Sequence, residues 1–533
     1  MAAKIDAPGL KAALSDGREI ALLDVREHGQ FGEGHLFFAV PLAYSRFELG
    51  LPALVPNARV RLVLCDAGDG VAERAAARAE TLGYSNVAVL TGGIAAWQAA
   101  GYTLYAGVNV PSKTFGELVE AARHTPRLSA ARVAAMREAK ENMVIVDGRP
   151  FAEYSKMNIP GGICCPNGEL PLYIHSIAPD PTTTIIVNCA GRTRSIIGAQ
   201  LLIDFGVPNP VYALENGTQG WFLAGLPLER GADRRGDRAV RETDLAQLSG
   251  RARAQARKLG VEFVTAEAAQ AWLGEASRTT YCLDVRSPEE FATAAVPGFA
   301  SAPGGQLIQA TDQWVGVKGA RLLLLDADGV RAAVVAGWLR QAGQEAAVLE
   351  GGVAAARAFN WQRPHPPPAA GAEPGPLSAG EAAQARARGS LIIDLRASLA
   401  YRLGHIDGAI WSIRPRLSAA AVAGKTVVLV AEEATIARLA AIDLGEAGCT
   451  DVRLLVEPPE AWAAAGLPIA RSPSEPPDQA RIDFLFFTAK RHEGTAEAAA
   501  AARQYLAWEV GLIEQLDAQE RGAFPIAQAV RVA

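Results

Sequence analysis

The sequence predicts an α/β protein of four tandem modules, each a mainly parallel sheet with helices on both faces, followed by a C-terminal helical tail. Three observations carry this. A chain of 533 residues exceeds what one hydrophobic core organises and calls for about three or four domains. A short apolar run ending in Asp-x-Arg recurs four times. A second block follows in each copy and reads as buried strand, tight loop, Ala/Leu-rich helix and another strand. Strands alternating with helices of that length imply parallel pairing with both faces covered.

The first block is "LLDVREHGQF" from Leu22, "IVDGRPFAEY" from Ile145, "CLDVRSPEEF" from Cys282 and "IIDLRASLAY" from Ile392. Seven residues after each Asp stands an aromatic, giving Asp24/Phe31, Asp147/Tyr154, Asp284/Phe291 and Asp394/Tyr401. Fourteen residues after it come Gly161, Gly298 and Gly408, with Phe38 in the first copy. The modules are expected over residues 1–107, 120–230, 255–363 and 377–472, with a tail over 473–533. Arg230–Arg238 ("RGADRRGDR") reads as a charged break, and Arg363–Pro376 as a Pro-rich, semi-rigid spacer. The tail predicts a helix with Tyr505, Trp508, Leu512 and Leu516 on one face, packing on a neighbouring module or, alternatively, forming a dimer seam.

Composition narrows the function classes. A net charge of −5 without a dense Lys/Arg patch argues against nucleic acid as a partner. No apolar run approaches the 18 residues of a membrane span. The N-terminus lacks the basic and apolar regions of a secretory signal, so a cytoplasmic location is expected. Six sparse cysteines fit a reducing compartment, where a thiol can be a nucleophile. Seven scattered His residues and no C-x-x-C or H-E-x-x-H pattern leave metal binding without support, and no cofactor is expected.

The chemistry concentrates at "IIVNCAGRTRSIIG", Ile185 to Gly198. A thiol is largely inert at neutral pH, and its thiolate is the nucleophile. Arg192 and Arg194 supply positive charge, and the helix beginning in this segment adds the positive end of its dipole. The amides of Ala190, Gly191, Arg192, Thr193, Arg194 and Ser195 can turn inward as an anion-binding nest. Gly191 is expected to permit the tight backbone, and Ser195 to cap the helix. Such a loop suits a small oxyanion held over Cys189. The competing reading is a buried structural cysteine.

The other copies serve as internal controls. The first loop, "CDAGDGV", is read as keeping Cys65 but surrounding it with Asp66 and Asp69, which raise a thiol pKa and repel anions. The third places Asp326 at the cysteine position and the fourth Ala431. All three are expected to be inactive. Asp147 and Arg149 recur in the copies without a cysteine and are read as a structural pair, and Tyr154 and Trp221 as core aromatics. A resolving role for Cys164 or Cys165 stays open, and His28 and His35 are read as surface residues.

In these features the chain resembles the rhodanese superfamily of sulfurtransferases. The resemblance rests on the Asp-x-Arg strand end, "GHIDGAI" at Gly404, the "CAGRTRS" loop and "GGIAAW" at Gly92, and covers about four-fifths of the chain. It implies that Cys189 attacks the outer sulfur of thiosulfate, releases sulfite and passes the persulfide sulfur to cyanide or a thiol. Arg192 and Arg194 would bind the sulfonate, and the amides from Ala190 to Ser195 would steady the thiolate and persulfide. The Cys-x4-Arg spacing is one residue shorter than in related cysteine phosphatases, and its two arginines differ from the uncharged loop of mercaptopyruvate-specific members. Two-module members keep the active cysteine in the last module; here it lies in the second of four. A scaffold or redox sensor that oxidises Cys189 without turnover is the non-enzymatic alternative.

Overall fold

Four mainly parallel sheets follow one another in the computed structural model, which describes residues 2–236, 238, 240–357, 373–417, 425–489 and 496–526. In the second sheet the strands lie side by side in the order Arg127–Leu128, Val211–Leu214, Thr184–Asn188, Met143–Asp147 and Ile163–Cys164, all parallel. The other three sheets repeat this order. Ile185, Ile186 and Val187 are fully buried because Thr184–Asn188 is the central strand, with helices over both faces. Its carboxyl end is where ligands of open parallel sheets sit.

The Asp-x-Arg motif is a structural corner in all four copies. Arg26, Arg149, Arg286 and Arg396 each fork onto the Asp two residues before them. Each also donates to a backbone carbonyl ten residues after that Asp: Gly34, Met157, Ala294 and Gly404. The pair pins the end of the strand to the far end of the following helix. Tyr154 and Trp221 are core aromatics, donating to the Gly162 and Pro227 carbonyls. His28 is exposed, but the expectation for His35 fails. His35 is buried, stacks on Phe31 and bonds the Phe31 carbonyl through Nδ1, and burial holds its pKa down to about 3.

The modules are interlocked. Val317–Lys318 of the third pairs antiparallel with the edge of the first sheet at Ile20 and Ala21. Arg414 of the fourth is buried between Glu48 of the first and Asp443, with Tyr44 under its guanidinium. The stretch read as a charged break instead runs beside the second sheet: the Cys164 amide donates to the Arg234 carbonyl, and Arg235 bridges Cys164. Most of the Pro-rich spacer lies outside the described residues, although Gly375–Leu377 forms an edge strand of the fourth sheet.

A helix over Val110–Arg123 bridges the first two modules. The tail packs against it, with Tyr505, Leu512 and Leu516 buried as the stripe predicts. The predicted helix is broken, however. It spans Ala496–Val510, and a separate turn follows over Leu512–Gln515 after Gly511. Among the described residues no helix is long and apolar enough to cross a membrane.

Candidate functional site

Cys189 is the first residue past the central strand and is 2% exposed. The loop is clamped from the neighbouring helix, Gly217–Leu223. The Thr218 amide donates to the Cys189 carbonyl at 2.8 Å, and the Gln219 amide to the Ala190 carbonyl at 3.1 Å. Gly217 has φ +53°, and a Cβ there would collide with the Cys189 carbonyl oxygen, so the clamp needs glycine.

The next helix spans Thr193–Phe205, and Arg192 is its N-cap. Ser195 is therefore the third helical residue, not the cap; its Oγ is buried with no partner among the described residues. Gly191 is not in the left-handed region. It supplies room instead, since a Cβ would lie 3.2 Å from Glu509 Oε2 and 3.5 Å from Gln219 Nε2.

Both loop arginines are engaged by carboxylates. Arg192 forks onto Glu117 at 2.8 and 2.9 Å and also reaches Glu120. Arg194 forks onto Glu153 at 2.9 and 2.8 Å, with Gln306 Oε1 at 3.3 Å. Burial pulls both guanidinium pKa values down, but the carboxylates outweigh it and the values are raised. Cys189 is among the groups that raise Arg194. Glu117 is pushed up to about 7, because burial exceeds what Arg192 offsets.

A cavity of about 270 Å³ opens over this loop. The second module contributes Cys189 through Arg194 and Gln219. The bridging helix contributes Lys113, the third module Gln306, Gln309 and Gln313, and the tail Thr488, Tyr505 and Glu509. Lys113 reaches the Tyr505 hydroxyl and, at 3.5 Å, Glu509 Oε1, which also accepts from Thr193 Oγ1 at 2.7 Å. These outer walls were not legible from the loop motif: Gln309 lies 120 residues and Glu509 320 residues along the chain from Cys189. Their only signal was the packing stripe that includes Tyr505, four residues before Glu509. Among the described residues no three His, Cys, Asp or Glu side chains gather in a way that could hold a metal ion.

The structure corrects the alignment of the first loop. Asp24 pairs with Cys65 where Asp147 pairs with Asn188, so Cys65 is the last residue of its strand and Asp66 stands at the Cys189 position. The Ile94 amide bonds the Asp66 carbonyl as Thr218 bonds that of Cys189. The Asp66 carboxylate fills its own loop, accepting from the amides of Gly68, Gly70 and Ala72 at 2.8, 3.1 and 3.0 Å. Asp326 does the same in the third loop, taking Gly329 and Ala332 at 2.9 and 2.8 Å. The amides at the corresponding offsets from Cys189 belong to Gly191, Thr193 and Ser195. Cys65 is fully buried, and burial first, then Asp24, raise its pKa well above the usual thiol value.

Cys164 and Cys165 are core thiols, and neither lines the cavity. Burial pushes Cys164 up to about 12 and Cys165 well above its ordinary value. The geometry gives neither a resolving role.

Comparison with known proteins follows the same lines. A family model, the rhodanese-like domain, matches residues 6–100, 129–224 and 265–358. A thiosulfate sulfurtransferase from Pseudomonas aeruginosa, solved by crystallography, is 43% identical over 98% of this chain and 99% of its own, with a TM-score of 0.88. A rhodanese-like domain from an Anabaena sp. protein is 25% identical over 20% of this chain and 80% of its own, with a TM-score of 0.19. An HTH-type transcriptional regulator of Mycobacterium tuberculosis is 32% identical over 105 residues, which are 20% of this chain and 45% of that protein, so the chain spans about half the length of that curated relative.

Proposed function

The chain belongs to the rhodanese-like family, and from that membership we propose that it is a sulfurtransferase carrying sulfane sulfur from thiosulfate to a thiol or cyanide through a persulfide on Cys189. The Cys189 thiolate attacks the outer sulfur of thiosulfate. The S–S bond of the donor breaks, its electron pair leaves with sulfite, and Cys189 holds the transferred sulfur. An acceptor then attacks that sulfur and the thiolate returns.

The observation that carries this reading is the equivalence of Cys189 with Asp66 and Asp326. Where the loop of two sheets carries a carboxylate gripped by its own amides, the second carries a sulfur at the same position, beside an open cavity. The amides from Ala190 to Ser195 are the donor-binding groups, reinforced by the helix beginning at Thr193, whose first N–H groups have no intrahelical partner. Arg192 and Arg194 line the cavity and bring positive charge to the anion. Their forks already hold Glu117 and Glu153, so the amides carry the directed hydrogen bonds. The similarity over nearly the whole chain to a protein named thiosulfate sulfurtransferase supports the donor. Thiocyanate formation from thiosulfate and cyanide, with Cys189→Ser alongside the wild type, tests the reading. No thiocyanate from the reduced wild type would overturn the thiosulfate assignment.

A further inference from the structure

The cavity contains more polar groups than the loop chemistry uses, and their polarity is one-sided. Glu509 is 1% exposed, and its Oε1 is taken by Thr193 and Lys113. Its Oε2 has no partner among the described residues and faces Gly191, two residues from Cys189. Gln219 is 2% exposed with both side-chain amide atoms unpartnered among the described residues, and Gln309 leaves its Oε1 so. All three line the cavity. A buried polar atom without a partner costs the desolvation it is not repaid, more so for a charged one. The unspent atoms are three acceptor oxygens, one of them ionic, against one amide nitrogen. Arg192 and Arg194 are held by other carboxylates, and Lys113 meets Glu509 at Oε1, not at the unpartnered Oε2.

We propose, building on the persulfide reading above, that the physiological acceptor is a small primary aminothiol whose ammonium group is received by Glu509 Oε2, with Gln219 and Gln309 completing its hydrogen bonds. The ammonium repays the carboxylate oxygen that the protein leaves bare. An anionic donor gains nothing from that oxygen, so it selects for the second substrate rather than the first. A cavity of about 270 Å³ holds roughly nine water volumes of about 30 Å³ each, room for such a molecule. The transfer balances as written. The acceptor thiol attacks the terminal sulfur of the Cys189 persulfide anion, and a new S–S bond forms on the acceptor. The old S–S bond breaks with its electron pair returning to Cys189 Sγ, and the thiol proton stays with the released hydropersulfide.

The test is a single-turnover discharge. The full chain is loaded with inorganic polysulfide, and the persulfide on Cys189 is followed by mass spectrometry after adding cysteamine or N-acetylcysteamine, which share a thiol and differ in the ammonium. A free low-molecular-weight persulfide, discharged by the same pair, corrects for intrinsic thiol reactivity. After that correction cysteamine is expected to be faster by about tenfold or more, the range of one charge-assisted hydrogen bond. Glu509→Gln is expected to remove most of that ratio. A corrected ratio near one in the wild type overturns the aminothiol proposal and leaves the persulfide reading standing. Failure of polysulfide to load Cys189 overturns both. Loading by polysulfide but not by thiosulfate overturns the donor alone, and the discharge ratio still decides the acceptor.

Discussion

Asp66 and Cys189 occupy the same point of two repeated sheets, each with its carbonyl bonded by an amide of the facing helix. One side chain is a carboxylate folded back into its own loop, and the other is a thiol beneath a cavity. The second module differs from the first less in backbone than in what fills the nest.

Loss of sulfur transfer is therefore expected in one cysteine variant only. Cys189→Ser should reduce thiocyanate formation to background, while Cys65→Ser should stay within about twofold of wild type, since that thiol is sealed in the strand. Steady-state assay of both variants decides it. Activity that falls equally in both would contradict the corrected alignment.

Replacing Cys189 by the residue of the first and third loops should close the site without unfolding it. Cys189→Asp is expected to be inactive with a Tm at or above that of wild type. The new carboxylate can take the amides of Gly191, Thr193 and Ser195, and hydrogen bonds to charged groups contribute about 1.5–3 kcal/mol each. Calorimetry beside the activity assay reads both effects, and a lowered Tm would mean that the second nest does not accept an internal anion.

The Asp-x-Arg corner should behave as architecture. Asp284→Ala leaves Arg286 buried without its fork partner, which costs about 3–5 kcal/mol. The expectation is a lower Tm for the third module's transition, with thiocyanate formation retained at low temperature. A loss of turnover at temperatures where the fold is intact would show that the corner acts on the chemistry.

Glu27 gives a pH dependence with a defined sign. It is buried, accepts from the Ser45 amide and hydroxyl, and burial raises its pKa from 4.5 to about 7. The folded state thus holds this proton more tightly than the unfolded chain. The stability it contributes is complete below about pH 4.5 and is lost as pH rises through about 7. Relative to wild type, Glu27→Gln should gain stability across that window, on the order of 3 kcal/mol. Tm measured at pH 5 and pH 7.5 for both chains checks it; parallel shifts would mean that Glu27 ionises as an ordinary carboxylate.

Much of the molecule was legible because its local signals are strong. A run such as "IIVN" is buried on both faces and can only be an inner strand, and an Asp-x-Arg pair repeated in copies without a cysteine has to be structural. The errors have physical causes. "RLVLC" stays apolar through Cys65, so nothing in its pattern marks that cysteine as the last residue of the strand, where "TIIVN" ends one residue before Cys189. His35 looked superficial because sequence does not show that Phe31, one helical turn away, offers its ring and carbonyl. The outer walls of the cavity were invisible because Gln309 and Glu509 meet Cys189 through docking between modules and leave no spacing rule behind.

That docking also sets a schedule. Cys189 is made before Gln309, and Gln309 before Glu509, and the latter two must be seated before the cavity over Cys189 is walled. Until Glu509 is seated, a newly made molecule carries the Cys189 thiol without the outer wall of its cavity. An enclosed site is therefore a property of the docked assembly rather than of the module that bears Cys189.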